Sequence, residues 1–115
     1  MEKIMKFSAA GQTLTKGYPG EMIKYTIEKQ FLDKELWKLT VNQFRTKPDG
    51  EDGGWRGEFW GKLMRAACLT YKATGNAKLY AEITESIKDM LTTEEKNGRF
   101  STYDLQYEFK AWDMW

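Results

Sequence analysis

The chain has 115 residues and a mass of 13.5 kDa, enough for one modest domain with a small core and too little for two. Its 18 Lys and Arg against 17 Asp and Glu leave a formal charge of +1, with both signs interspersed, which excludes the basic block or stripe of a nucleic-acid or anionic-membrane binder. There is no histidine and a single cysteine, Cys68, so the commonest general base and zinc ligand is missing, and no intramolecular disulfide or thiolate metal cluster can be built from this chain alone.

Met1 to Lys6 lacks an apolar run of signal-peptide length, and no later window approaches the roughly 20 apolar residues of a membrane span. As written, the chain is expected to be cytoplasmic, with no nucleic-acid or membrane partner. The 5 tryptophans are many for a small chain; indole rings line sugar and aromatic ligand sites, and they also serve as ordinary packing residues.

Residues 1–18 read as an irregular lead-in with Gly11 and Gly17 as breakers. Pro19, tolerated in a first turn, and Glu21, suited to the positive end of the dipole, begin a first helix in residues 19–115. Ile23, Ile27 and Phe31 recur at fourfold spacing and share one face. Asp33 caps a second helix carrying Trp37, Val41 and Phe44 at i, i+4 and i+7. Lys47 to Gly54, with one proline, three glycines and three acids, ends it; the stretch lacks the ligand order of a calcium loop and reads as a solvated connection.

Gly57 to Thr74 forms the third helix. Trp60, Met64, Ala67 and Tyr71 mark its main apolar face, and Phe59, Leu63 and Ala66 widen that face until little is left for solvent, which predicts an inner helix with Cys68 as a small core residue. Gly75 fits a left-handed cap and Asn76 the next N-cap, giving a tight antiparallel hairpin. Leu79, Ile83, Ile87 and Met90-Leu91 form one stripe on an outer fourth helix, whose other faces carry Glu82, Glu85, Lys88, Asp89 and the run Glu94-Glu95-Lys96 before Asn97-Gly98 stops it. Arg99 to Gln106 reads as a loop, and from Tyr107 a helical period returns with Phe109, Trp112 and Trp115. The fold class is all-α, built of antiparallel helical hairpins.

Three groups of residues stand together as motifs. The first is Lys16-Gly17-Tyr18-Pro19-Gly20-Glu21 with Phe44-Arg45, and the second is Trp55-Arg56-Gly57-Glu58-Phe59-Trp60-Gly61-Lys62. The third comprises Tyr71-x-x-Thr74-Gly75-Asn76, Gly98-x-x-x-Thr102-Tyr103 and Trp112-Asp113-x-Trp115. In order and spacing they resemble the start of the catalytic domain of the β-L-arabinofuranosidase family, glycoside hydrolase family 127. The resemblance covers roughly the last hundred residues; the combination is specific where any single piece is weak.

The resemblance implies an (α/α)6 toroid in which inner helices surround a sugar cavity, and a carbohydrate partner of arabinofuranoside type. Family members retain configuration, with a zinc-bound cysteine nucleophile, further cysteine ligands, a glutamate ligand and a separate acid/base glutamate. No position of this sequence matches those motifs, so no catalytic residue and no metal ligand is carried over, and zinc is implied only for the whole family domain. What carries over is pocket wall: Trp55 and Glu58 at the entry of an inner helix, Lys62 one turn on, Tyr103 on the loop after the outer helix, and Asp113 with Trp115 at the entry of the next inner helix. Rings of this kind stack on sugar faces, and the charged groups hydrogen-bond vicinal hydroxyls.

Each also has a plain structural role. Trp55 and Trp115 serve as packing residues, Glu58 suits the helix dipole, and Lys62 pairs with it at i, i+4. The expectation is therefore the N-terminal part of a family 127-like glycosidase that does not hydrolyse by itself. The alternative is a stand-alone helical sugar-binding or oligomerisation module, in which open apolar helix faces drive homo-oligomer formation. A retaining carboxylate pair about 5–5.5 Å apart, such as Glu58 with Asp113 or Asp104, is not fixed by anything in the sequence.

Overall fold

The computed structural model describes residues 16–47 and 56–107. Among them are four α-helices and no strand: α1 (Gly17–Thr26), continued by a π-helical turn (Ile27–Phe31), α2 (Lys34–Thr46), α3 (Arg56–Thr74) and α4 (Ala77–Leu91), then a 3-10 turn at Leu105–Tyr107. The all-α expectation holds. Residues 1–15 of the lead-in, the glycine-rich connection from Pro48 to Gly54, and the helical period after Tyr107 lie outside the described residues.

Each helix follows from local chemistry. α1 begins at Gly17, two residues before the proline expected to open it, so Pro19 sits inside the first turn, where its missing N–H leaves no bond unmade. The wider turn that follows is closed by the Leu32 N–H donating to the Ile27 carbonyl at 2.9 Å, the i to i+5 pattern of a π-bulge. It delivers Ile27 and Phe31 to the core, 5% and 3% exposed. The Phe31 carbonyl at its end accepts from the indole N–H of Trp37 at 2.8 Å, so the irregularity leaves that buried acceptor satisfied.

Asp33 caps α2 as expected, accepting from the N–H groups of Glu35 and Leu36 at 3.0 and 3.2 Å. Between α3 and α4, Gly75 takes φ 65°, a left-handed conformation that costs any residue with a Cβ, and its N–H closes onto the Tyr71 carbonyl. Asn76 then caps α4 by accepting from the Leu79 N–H at 3.0 Å.

α2, α3 and α4 pack on one another, with the π turn against α3 and α4. Ion pairs between Lys34 and Glu82 and between Arg45 and Asp89 show α2 and α4 running in the same direction; α3 runs against both. Ile27, Phe31, Trp37, Ala67, Leu79 and Ile83 form one core cluster, and Val41, Phe44 and Met90 a second. Trp60 touches both clusters. Its ring meets Phe44 edge-on at 6.5 Å and its N–H donates to Ser86 Oγ at 3.0 Å, so the polar end of a half-buried indole is paired.

Three sequence expectations are corrected. α3 is not enclosed: Phe59 is 54% and Leu69 59% exposed, and Gly61, Lys62, Arg65, Ala66, Cys68 and Lys72 are exposed too. The reason is that α2 and α4 cover only the arc holding Trp60, Leu63, Met64, Ala67 and Tyr71. Cys68 is therefore a surface residue, not a core one. α4 ends at Leu91, so Glu94, Glu95 and Lys96 belong to the following turns, and the buried stripe is Leu79, Ile83, Ser86 and Met90, with Ile87 and Leu91 left outside.

Candidate functional site

The first turn of α3 is where the sequence places most of its candidate chemistry. Gly57 sits close to two other segments: a Cβ there would lie in ordinary van der Waals contact with Phe44 Cζ at 3.5 Å and Thr102 at 3.7 Å. That contact draws together the end of α2, the start of α3 and the loop after α4. Ser101, Thr102 and Tyr103 are all buried, and the Tyr103 N–H donates to Ser101 Oγ at 3.0 Å, so the loop is folded into the helices rather than lying over them.

Glu58 follows Gly57 into this crowded end, and its side chain is only 13% exposed. One carboxylate oxygen forms an ion pair with Lys62 Nζ at 2.6 Å. The other is buried and has no hydrogen-bond partner among the described residues. A carboxylate so placed is costly unless something supplies donors. Lys62 itself is 66% exposed, so the pair joins an inward acid to an outward base. Gln43 Oε1 is a second buried acceptor with no partner among the described residues.

The structure thus brings Glu58 and Lys62 together and sets the loop of Tyr103 against the turn they start from. Tyr103 is 2% exposed; its ring packs in the interior and presents no face to solvent. Trp55, Asp113 and Trp115 lie outside the described residues.

Sequence reasoning missed the clasp that holds this end closed. Lys47, the C-cap just past the end of α2, adopts φ 41°, a left-handed conformation unusual for a residue with a side chain. From there its ammonium pairs with Glu95, which also binds Arg99 at 3.2 Å. The hydrogen bond from Lys47, followed by the charges of Lys47 and Arg99, holds the Glu95 carboxyl below its ordinary 4.5, against the opposing effect of burial. Arg45 reinforces the same end, donating to Asp89 Oδ1, the Asp89 carbonyl and Thr92 Oγ1. These partners stand 44 to 48 residues apart, and no period or motif signals such a pairing.

A surface groove of about 1130 Å³ runs between α2 and α4, lined by Lys34, Lys38, Arg45, Glu82, Glu85 and Asp89 among others. It contains none of the expected site residues, and its charges largely pair with one another. Among the described residues no cluster of three or more cysteine, aspartate or glutamate side chains could hold a metal ion, so these residues do not fit a zinc site. No described helix is long and apolar enough to cross a membrane. No family model, curated protein or solved structure matches this chain.

Proposed function

We propose that this chain is part of a glycoside hydrolase domain of the (α/α)6 type, resembling the β-L-arabinofuranosidases, in which it supplies sugar-pocket wall without hydrolysing by itself. The observation that carries the reading is Glu58: a carboxylate withdrawn from solvent, with one oxygen held by Lys62 and the other lacking a donor among the described residues. Vicinal hydroxyls of a sugar are donors of the right kind. The layering supports the same reading, since α3 runs against a parallel α2 and α4, the arrangement of one inner helix between two outer ones. Trp55, Asp113 and Trp115 complete the wall in this proposal, and Tyr103 stiffens it from behind.

Methyl arabinofuranoside titrated into the protein is expected to raise its melting temperature, by the equivalent of about 2.7 kcal/mol at a hundredfold excess over Kd. Glu58→Gln, which keeps the shape and removes the charge, should abolish most of that rise. A melting temperature indifferent to the sugar overturns the pocket reading, and release of arabinose from an aryl arabinofuranoside by the purified chain in chelator overturns the inactivity.

A second reading, a helical module that associates with copies of itself, is favoured by Tyr18 at 77%, Met22 at 42% and Tyr25 at 58% exposed along one side of α1, and by Phe59 and Leu69 on α3. Apolar surface so arranged commonly marks an interface. Sedimentation equilibrium that stays monomeric at high concentration removes it.

A further inference from the structure

One side of the α3–α4 hairpin carries a surface that neither the core nor the sugar-pocket reading uses. On α4, Tyr80, Thr84, Ile87 and Leu91 recur at i, i+4, i+7 and i+11, the spacing of a helix-packing seam, yet Tyr80 is 55%, Ile87 40% and Leu91 58% exposed. The Tyr71 and Tyr80 rings, 5.1 Å apart, set the register of the two antiparallel helices. Continuing from that pair places Cys68 beside Thr84, Met64 beside Ile87 and Gly61 beside Leu91. A Cβ at Gly61 would meet nothing within 4 Å. Large side chains on α4 thus stand as a ridge beside a lower track on α3, where Gly61 and Cys68 are small and Met64 is half-buried against the core.

The far wall of that track is cationic. The exposed arc of α3 beside the track carries Arg65 and Lys72, and the one acid of α3, Glu58, is turned inward onto Lys62. Arg65 and Lys72 form no ion pair among the described residues. On the α4 side Lys88 is paired with Glu85 at 2.9 Å. A second copy laid face to face would set Arg65, Lys72 and Lys88 against the same cations, which disfavours self-association through this side.

We propose that this trough receives an acidic amphipathic helix of another protein. Its apolar residues would rest on Tyr80, Ile87 and Leu91 while its Asp or Glu side chains meet Arg65 and Lys72. From Gly61 to Lys72 the track is about 17 Å long at 1.5 Å per residue, room for three turns of a partner helix.

The probe is a fluorescein-labelled synthetic helix of about 20 residues, with leucine at the a and d positions and glutamate flanking them, followed by anisotropy. The acidic helix is expected to bind and its lysine-flanked counterpart not to. The double variant Arg65→Glu with Lys72→Glu should weaken binding at least tenfold, about 1.4 kcal/mol, and Ile87→Ser with Leu91→Ser likewise, with circular dichroism confirming the helices. Raising salt on the unaltered protein should weaken binding as well, a test that needs no variant. The proposal is overturned by no binding of the acidic helix, by equal binding of both helices, by indifference to the charge reversal, or by capture of phosphatidylserine vesicles without capture of the peptide. Because Glu58→Gln leaves the trough intact, loss of the sugar effect and loss of helix binding are separate outcomes.

Discussion

Glu58 and Cys68 sit ten positions apart on one helix, and their surroundings reverse what residue type alone implies. The carboxylate is mostly enclosed and the thiol is exposed. Enclosure at the first turn comes from the loop that Thr102 anchors, whereas the middle of α3 has neighbours on one arc only. The energetic contrast is testable. Leu79 is fully buried in the main cluster, so Leu79→Ala should destabilise by about 2–5 kcal/mol through lost transfer energy and a residual cavity. Cys68→Ser should stay within about 0.5 kcal/mol of the parent. Urea unfolding of the two variants side by side checks both; a large loss for Cys68→Ser would mean that this face is covered in solution.

At the scale of elements, the caps and periods were legible because they are local. Asp33, Gly75 and Asn76 act on N–H and carbonyl groups two to four residues away, and such chemistry is written in nearby letters. Asp33→Ala removes an acceptor shared by two N–H groups and should cost about 0.5–2 kcal/mol, read as a lower denaturation midpoint with an unchanged m-value. The end of α4 was misplaced because Glu94, Glu95 and Lys96 are good helix formers that tertiary partners recruit elsewhere. Thr92 and Thr93 instead close the helix, their hydroxyls donating to the Asp89 and Met90 carbonyls at 2.7 and 2.8 Å. The π turn was equally invisible: Ile23, Ile27 and Phe31 read the same with or without the extra residue it accommodates.

For the molecule as a whole, the clasp of Lys47, Glu95 and Arg99 ties the end of α2 to the chain after α4, and with it the loop that encloses Glu58. Its pH dependence has a definite sign. In the fold the Glu95 carboxyl lies below 4.5, so between the folded and unfolded values the unfolded chain binds more protons, and stability rises with pH there. The contribution is complete above about 4.5 and is lost as pH falls through the lower folded value. Glu95→Gln should therefore be less stable than the parent at pH 7, with the gap closing under acid. Thermal melts across that range check it; a gap that widens as pH falls contradicts the assignment.

What the sequence determined by itself was carried by near neighbours: the all-α class, the four helices, the caps at Asp33, Gly75 and Asn76, the tight hairpin, the Glu58–Lys62 pair, and the core positions Trp37, Val41 and Phe44 on α2. Those features depend on spacing along one chain segment, where 3.6 residues per turn sets who meets whom. Only the tertiary structure decided which of two apolar arcs on α3 and α4 would be buried. It alone closed the clasp across 48 residues, and it drew Tyr103 into the interior while leaving Cys68 outside. The reason is that burial belongs to pairs of surfaces, and a single helix with apolar residues on two sides does not specify which side its neighbours will take.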